Sequence, residues 1–264
     1  MTIVLIINLD ERTDRLDHMR REMTRRELEF ERVAAVKASE PEVIRAANML
    51  PKNSSGRTIS AGALAIFLSH RKCWERLVSS QDQYAMIFED DILMADGISE
   101  YVSDFWVPRD ADIVRLETFG TRVHVDSKQF EISIGSRHLT RLRSSHLGAA
   151  CYVISRRAAT YLLERTKSVS EAVDEALFNE RSAFFKTLVI YQMVPAPAVQ
   201  GDRHAKISKT EGLSWVSSSI LERHAKSTDE PAKKERLLAR IIRNFSAILI
   251  SLRRKTKYRV IPYG

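Results

Sequence analysis

Short apolar runs alternate with segments of helical periodicity along the first 200 residues of the chain, and this alternation constrains the fold most strongly. The run Ile3–Asn8 is almost wholly apolar, which is typical of a strand buried on both faces. Residues 62–78 instead repeat apolar side chains every three to four positions, which predicts a helix. Because strands alternate with helices, we expect an α/β fold with a mostly parallel mixed sheet flanked by helices.

The same two patterns predict the other elements of this fold. Strands are expected at Phe30–Val36, Tyr84–Phe88, Asp112–Leu116, Ala150–Ile154 and Thr187–Val194. Thr13 and Ser155 are expected to cap helices, because a hydroxyl can accept a hydrogen bond from an amide of the first turn. A short helix is predicted from Val173, hairpins or a loop in residues 118–146, and a polar loop in residues 201–212.

The chain is long enough for one large domain with a sizeable core, and its tail differs in composition. Of its 264 residues, 44% are hydrophobic and 29% are charged, which excludes a disordered chain. We expect a folded domain over residues 1–221, a polar linker over 222–232 and a basic tail over 233–264. Aliphatic residues recur at helical spacing between Leu237 and Leu252, which predicts an amphipathic helix in the tail.

The net charge of +8 is concentrated in that tail. Residues 231–264 contain ten Lys or Arg and one acidic residue, so the preceding 230 residues are close to neutral. A nucleic-acid-binding body would carry the positive charge itself, so we expect no nucleic-acid partner. The two cysteines, Cys73 and Cys151, are too few for a disulfide framework, which suits a cytoplasmic protein.

Three consecutive acids form the strongest chemical motif. Glu89, Asp90 and Asp91, called the acidic triplet below, directly follow the predicted strand Tyr84–Phe88. Carboxylates crowded at the end of a buried strand repel one another, and they suit a divalent cation that takes its other ligands from phosphate and water. The alternative is a loop of solvated or helix-capping acids.

Other polar residues accompany the predicted strand and helix ends. Arg12 and Arg15 follow Asn8 and Leu9 at the start of a helix, where a diphosphate can bind. The residues alone favour the alternative, in which the two arginines pair with Asp10, Asp14 and Asp17 on a solvated face. His70 lies on an apolar helix face and is most simply a hydrogen-bonded core residue.

An acidic pair opens the predicted helix that begins at Val173. Asp174 and Glu175 can interact favourably with the helix dipole, or one of them can serve as a general base. Taken alone, the pattern of residues favours the interaction with the helix dipole.

These motifs together resemble glycosyltransferase family 25, the type that includes lipooligosaccharide galactosyltransferases. Five stretches occur in the family's order: Ile6–Leu9 with Arg12, Asp14 and Arg15; Gly62–Leu64 with Leu68–His70 and Trp74; Ile87–Asp91; Gly148–Ser155 with Ala158 and Ala159; and Val173–Asp174. Two acids of the family pattern are replaced, by Lys37 and Ala63. This replacement motivates the alternative of a non-catalytic relative that binds a sugar nucleotide and acts through a protein partner.

The resemblance implies a GT-A-like fold and inverting transfer of a hexose, commonly galactose, from a UDP-sugar. The implied acceptor is a saccharide of lipopolysaccharide, lipooligosaccharide or a related surface glycan. The implied metal ligands are the acidic triplet, which would hold Mn²⁺ or Mg²⁺. The implied donor-binding residues are Asn8, Leu9, Arg12, Arg15, His70, Glu89 and Asp90.

For catalysis, the resemblance together with the motif points to Asp91 as the central metal ligand and Asp174 as the general base, with Glu175 as its substitute. A glycolipid acceptor also gives the tail a role. Residues 233–259 would bind anionic lipid at the inner face of the cytoplasmic membrane, unless the helix packs on the body or on a second subunit. Another magnesium-dependent nucleotide enzyme, such as a nucleotidyltransferase, is a further alternative.

Overall fold

The computed structural model describes residues 2–51, 58–132, 134–208 and 258–264. Its strands are β1 Thr2–Asn8, β2 Glu31–Ala34, β3 Tyr84–Glu89, β4 Ile92–Met94, β5 Ile113–Arg115, β6 Arg122–Glu131, β7 His138–Leu142, β8 Cys151–Ser155, β9 Ile190–Val194, β10 Ala198–Gln200 and β11 Tyr258–Val260. Its α-helices are α1 Thr13–Arg25, α2 Pro41–Met49, α3 Ala61–Ser79, α4 Arg156–Arg165, α5 Val173–Phe178, α6 Ala183–Thr187 and α7 Gly201–Ser208, with a 3₁₀ helix at Ile98–Val102.

Nine strands form one sheet in the order β11-β6-β7-β9-β5-β8-β3-β1-β2, and β4 pairs separately with β10. The α/β class and the mixed sheet are confirmed, but the expectation of a mostly parallel sheet is wrong. The β1–β2, β1–β3 and β5–β9 pairs are parallel, whereas the other five pairs of the large sheet are antiparallel. Strand β8 runs against both of its neighbours, and β6 and β7 form a hairpin that extends the sheet.

The direction of the strands decides which residues share an edge. Because β8 is antiparallel to both β3 and β5, the strands β1, β3 and β5 all run in the same direction. Their carboxyl ends therefore lie at one edge, together with the turn that leads into β8. In open α/β sheets this edge is where ligands bind.

The central strands are buried on both faces, as the apolar run predicts. Along β1, Leu5 packs into one apolar cluster with Phe67 and Trp74 of α3. Ile6 points to the opposite face and packs with Met19 of α1. Helices on both faces therefore hold the end of β1 in a fixed position.

Three local predictions differ from the structure. Arg12, not Thr13, is the N-cap residue of α1, and its side chain makes no capping hydrogen bond, whereas Ser155 caps α4 as predicted. Residues 201–208 form α7 rather than a loop. In the predicted tail, Tyr258–Val260 is a strand that pairs with β6.

The predicted linker at 222–232 and the tail helix within 233–257 lie outside the described residues. Among the residues that the structure describes, no helix is long and apolar enough to cross a membrane.

Candidate functional site

The acidic triplet lies at the carboxyl end of β3, in the turn between β3 and β4. Asp90 and Asp91 are buried, with 7% and 5% of their surface exposed, and Glu89 is half-buried. The three carboxylates have different neighbours, so the triplet is not a single cage of equivalent ligands.

Asp90 is held by two residues of the chain's first strand and helix. The Nδ2 of Asn8 donates to Asp90 Oδ2 at 2.7 Å, and Nη1 of Arg15 donates to Asp90 Oδ1 at 3.0 Å. Asn8 reaches Asp90 because β1 and β3 are parallel neighbours whose ends coincide. A buried carboxylate with a cation and an amide on its two oxygens is a structural anchor for the turn.

Asp91 is less well satisfied than Asp90. Its Oδ2 lies 3.5 Å from Nη1 of Arg15, and its buried Oδ1 has no hydrogen-bond partner among the described residues. Burial, and next the charge of Glu89, raises the pKa of Asp91 to about 7. A buried acceptor without a donor is costly, so this oxygen is the position where a bound cation would have the largest effect.

Glu89 is linked to a buried chain of aromatic side chains. The Nε1 of Trp74 donates to the Tyr152 hydroxyl at 2.9 Å, and this hydroxyl lies 2.9 Å from Nδ1 of His70. Since an indole can only donate, the Tyr152 hydrogen is available to Nδ1, and His70 then carries its own hydrogen on Nε2. That nitrogen lies 3.4 Å from Oε1 of Glu89.

His70 is fully buried, and this burial lowers its pKa to about 3. The imidazole is therefore neutral at physiological pH, and it reaches the edge of the sheet through Glu89. On the other side of Glu89, Gln200 Nε2 donates to Oε2 at 3.5 Å.

Arg12 and Leu9 lie at the more exposed side of the triplet. Arg12 donates to Leu9 through its backbone and to Asp14 through Nε and Nη2, at 3.1 and 3.0 Å. Its pKa is raised, first by the hydrogen bond to Asp14 and also by the charges of Asp90 and Asp91. Arg12 therefore pairs locally with Asp14, which was one of the two alternatives predicted from the sequence. The negative charges of Asp90 and Asp91 also act on its guanidinium.

Asp174 and Glu175 open α5 near the same edge. Asp174 Oδ2 accepts from the Gly148 amide at 3.3 Å, and Oδ1 accepts from the Glu175 amide at 3.0 Å. The carboxylate is half-buried, and its charge acts to raise the pKa of the His70 imidazole. Glu175 differs from it, because its carboxylate accepts a hydrogen bond from Asn179.

Two charged residues at this edge were missed by the sequence analysis. Arg115 and Glu117 are completely buried at the end of β5, with Nη2 and Oε1 3.3 Å apart. Burial raises the pKa of Glu117 to about 7, and the charge of Glu89 acts in the same direction. The sequence contained a signal for them, since a strand that reads Ile113-Val-Arg-Leu-Glu117 places two charges within an apolar run.

The described residues fit a cation with few protein ligands. Within the described part of the chain, no three His, Cys, Asp or Glu side chains are arranged to hold a metal ion. Asn8 and Arg15 occupy the two oxygens of Asp90. Oδ1 of Asp91 has no hydrogen-bond partner among the described residues, and the charge of Glu89 acts on the same carboxylate. One or two carboxylates, with the remaining ligands from phosphate and water, is the usual environment of Mg²⁺.

Comparison with known proteins shows the family to which the chain is related. The profile of glycosyltransferase family 25 (LPS biosynthesis protein) matches residues 1–177. The lipooligosaccharide biosynthesis protein lex-1 of Haemophilus influenzae is 29% identical over 79% of this chain and 70% of its own length. The lacto-N-neotetraose biosynthesis glycosyltransferase LgtE of Neisseria gonorrhoeae is 30% identical over 76% of this chain and 75% of its own length.

A third relative covers nearly the whole chain. The lacto-N-neotetraose biosynthesis glycosyltransferase LgtB of Neisseria meningitidis serogroup B is 27% identical over 98% of both chains. The matched range contains the acidic triplet, Asn8, Arg12, Arg15 and Asp174. The chain therefore belongs to glycosyltransferase family 25.

Proposed function

We propose that this glycosyltransferase moves a hexose, expected to be galactose, from a UDP-sugar to a saccharide acceptor of lipopolysaccharide or lipooligosaccharide, with inversion. Membership of family 25 and the names of the relatives support the class of reaction and of acceptor. The single observation that supports this site most is the buried Oδ1 of Asp91, which lacks a partner among the described residues at the ligand-binding edge of the sheet.

The donor diphosphate is proposed to bind between Arg12 and the start of α1. A helix of 13 residues begins there, and the first turn of a helix favours an anion. The side chain of Arg12 is a quarter exposed at this position. Arg15 has a different role in this proposal. It is buried against Asp90 and Asp91, so it holds the turn while Arg12 meets the phosphates.

Glu89 and Asp91 are proposed to hold Mn²⁺ or Mg²⁺, and Asp90 to anchor the turn that carries them. When bound, such a cation supplies positive charge that stabilises the departing UDP. Neutral His70 donates to Glu89 and keeps that carboxylate in place, and Gln200 does so from the opposite side. We also propose that the α/β domain has the GT-A fold.

Asp174 is proposed to accept the proton of the acceptor hydroxyl as it attacks the sugar. Backbone amides of Gly148 and Glu175 hold its two oxygens, which orients the carboxylate without neutralising it. Glu175 remains the substitute base. Its hydrogen bond with Asn179 makes it the weaker candidate, since that bond directs the carboxylate back along its own helix.

The test is to incubate the purified protein with UDP-, GDP- and CMP-sugars, with and without Mn²⁺, and to measure thermal stabilisation and slow donor hydrolysis. One UDP-hexose should stabilise the protein in a metal-dependent manner. Asp91→Asn should reduce turnover by about 10²–10³-fold, and Asp174→Asn by about 10²–10⁴-fold with donor binding retained. Asp112→Asn is the matched control, because Asp112 is a buried carboxylate near the opposite end of β5.

Wild-type turnover in Asp91→Asn would contradict the metal assignment, and stabilisation by a CMP- or GDP-sugar alone would contradict the donor. A second function is favoured by Lys37 and Ala63, which replace two acids of the family pattern. Lys37 pairs with Glu11 at 2.8 Å in the structure. In that case the protein would bind a UDP-hexose but neither transfer nor hydrolyse it.

A further inference from the structure

The end of β5 carries a buried ion pair whose side chains the proposed reaction does not use directly. Arg115 and Glu117 are both 0% exposed. Burying two charges carries a large desolvation penalty for each ion, and the burial is sustained when hydrogen bonds to other groups offset that penalty. The partners of this pair therefore show what it holds in place.

Those partners belong to the turn that leads into β8. The two terminal nitrogens of Arg115 donate to consecutive backbone carbonyls, Nη2 to Leu147 at 2.7 Å and Nη1 to Gly148. Glu117 Oε1 accepts from the Ala150 amide at 2.7 Å. Both ends of the turn are thus attached to neighbouring side chains of one buried strand.

The middle of this turn contacts Asp174, the proposed base. The Gly148 amide donates to Asp174 Oδ2 at 3.3 Å. Gly148 has a φ of +98°, and a Cβ at this position would lie 2.5 Å from the ring of Phe119. Only glycine fits this peptide orientation without strain, so the amide points at Asp174 because the turn is held in an unusual conformation.

Arg115 also contacts the helix on which Asp174 lies. Its guanidinium is stacked over the Phe178 ring, 4.7 Å from the ring centre, and Phe178 is the last residue of α5. Arg115 therefore touches both the turn that donates to Asp174 and the helix that carries it.

We propose that Arg115 and Glu117 are positioning residues for Asp174, which fix the Gly148 peptide and thereby orient the carboxylate toward the acceptor. This inference rests on the proposed function, in which Asp174 accepts the proton of the acceptor hydroxyl. Neither residue touches the substrate, and both act through the backbone of the turn.

Arg115→Lys tests the geometry apart from the charge. Lysine keeps the positive charge but lacks the planar fork that binds two carbonyls. We expect kcat to fall by about 10²-fold, as for a misplaced catalytic group, with the KM for the donor changed less than about twofold. Glu117→Gln keeps an oxygen for the Ala150 amide and should lose much less, and Asp112→Asn is the control for a general weakening of β5.

A second variant guards against failure of the first to fold. Arg115→Met combined with Glu117→Gln removes both charges together and leaves no unpaired buried ion. It should show the same loss of kcat with an unchanged KM for the donor. A loss of donor binding in either variant, or an unchanged kcat, would contradict the inference.

An NMR measurement tests the contact without any transferase activity. Leu147-Gly148 is the one Leu-Gly dipeptide in the sequence, so labelling Leu with ¹³C at the carbonyl and Gly with ¹⁵N gives a single correlated amide signal. At a single pH this signal should move when Asp174 is replaced by Asn, because the Gly148 amide then loses its carboxylate partner.

In the Arg115→Lys protein the movement caused by Asp174→Asn should fall to less than about half, because the amide no longer points at the carboxylate. Full movement in Arg115→Lys would overturn the inference even if the protein transfers a sugar. Conversely, the signal can lose its movement in Arg115→Lys while the wild-type protein transfers no sugar. That result would support the positioning contact and reject the proposed reaction.

Discussion

At the residue scale, the site combines carboxylates that are fully satisfied with carboxylates that are not. Asp90 has a donor on each oxygen, whereas Asp91 and Glu117 each keep one buried oxygen without a partner among the described residues. Asp90 therefore anchors the turn as a carboxylate. Burial raises the pKa values of Asp91 and Glu117, which have fewer hydrogen-bond donors. This difference, rather than the presence of three acids, is what makes the turn suitable for a cation.

The raised pKa values predict how stability depends on pH. Asp91 and Glu117 both have a folded-state pKa of about 7, above the usual values of 3.8 and 4.5. Between about pH 4 and 7 the folded protein holds protons that the unfolded chain releases, so the free energy of unfolding should fall as pH rises. We expect a fall of roughly 1–3 kcal/mol per carboxyl without added metal, measured by urea unfolding.

The double variant Asp91→Asn with Glu117→Gln should remove most of this slope, because neither replacement ionises. The comparison with the wild type separates these two groups from half-buried acids such as Asp126. Arg143 lowers the pKa of Asp126, so its contribution to stability changes in the opposite direction and at lower pH. An identical slope in the two proteins would show that other groups titrate.

At the element scale, the site depends on how α1 and β1 meet the turn after β3. Arg15 on the first turn of α1 pairs with both Asp90 and Asp91. Asn8 at the end of β1 donates a hydrogen bond to Asp90. Both contacts join residues more than 70 positions apart, so the turn is shaped by the neighbouring strand and helix and not by its own sequence.

Arg15→Met should therefore destabilise the protein strongly. It removes the cation and leaves Asp90 buried, which costs about 3–5 kcal/mol when one partner of a buried pair is lost. Combining it with Asp90→Asn should recover part of the loss, because Asp90 then carries no buried charge, whereas Asp91 still lacks the neighbouring cation. Urea unfolding of the two single variants and the double variant measures the coupling, and simple additivity would show that the two side chains act independently.

At the scale of the whole molecule, the end of the chain returns to the body. Strand β11 pairs with β6 at the edge of the large sheet, and Thr118 donates to the Ile261 carbonyl at 2.7 Å. Arg137 binds the carbonyl of Gly264 at 2.8 Å. The described residues 258–264 therefore belong to the folded body.

Ile261 tests whether this return contributes to stability. It is 1% exposed, whereas its neighbour Val260 is 48% exposed. We expect Ile261→Ala to lower the free energy of unfolding by about 2–4 kcal/mol, and Val260→Ala to change it by less than about 0.5 kcal/mol. Equal effects in urea unfolding would mean that the last residues do not pack on the body.

The proposed attachment to anionic lipid needs a variant that preserves β11. Removing everything after residue 230 would also remove that strand, so Arg253→Gln with Arg254→Gln is the better change. At roughly 1 kcal/mol for each lost charge, binding to anionic vesicles in flotation should weaken about tenfold to thirtyfold. Arg20→Gln with Arg25→Gln removes two exposed charges of the body and should have little effect, and equal losses in both pairs would contradict a role for the tail.

The sequence by itself determined the fold class, the burial of the first and third strands, the acidic triplet at a strand end, and the resemblance that the family match confirms. These features follow from local periodicity and from motifs that are contiguous in the chain. Asn8, Arg15 and the triplet could also be placed near one another, because carboxyl ends of parallel strands meet at one edge.

Only the tertiary structure decided the direction of β8, the hairpin at the edge, the return of the last residues as a strand, and the separate roles within the triplet. Strand direction depends on pairing between distant segments, which periodicity within a segment does not encode. The burial of Arg115 and Glu117 could not be predicted from the sequence for the same reason. The cost of burying each charge is offset by backbone groups more than 30 residues away. Whether a charged side chain is exposed, an anchor or a ligand is decided by those distant partners.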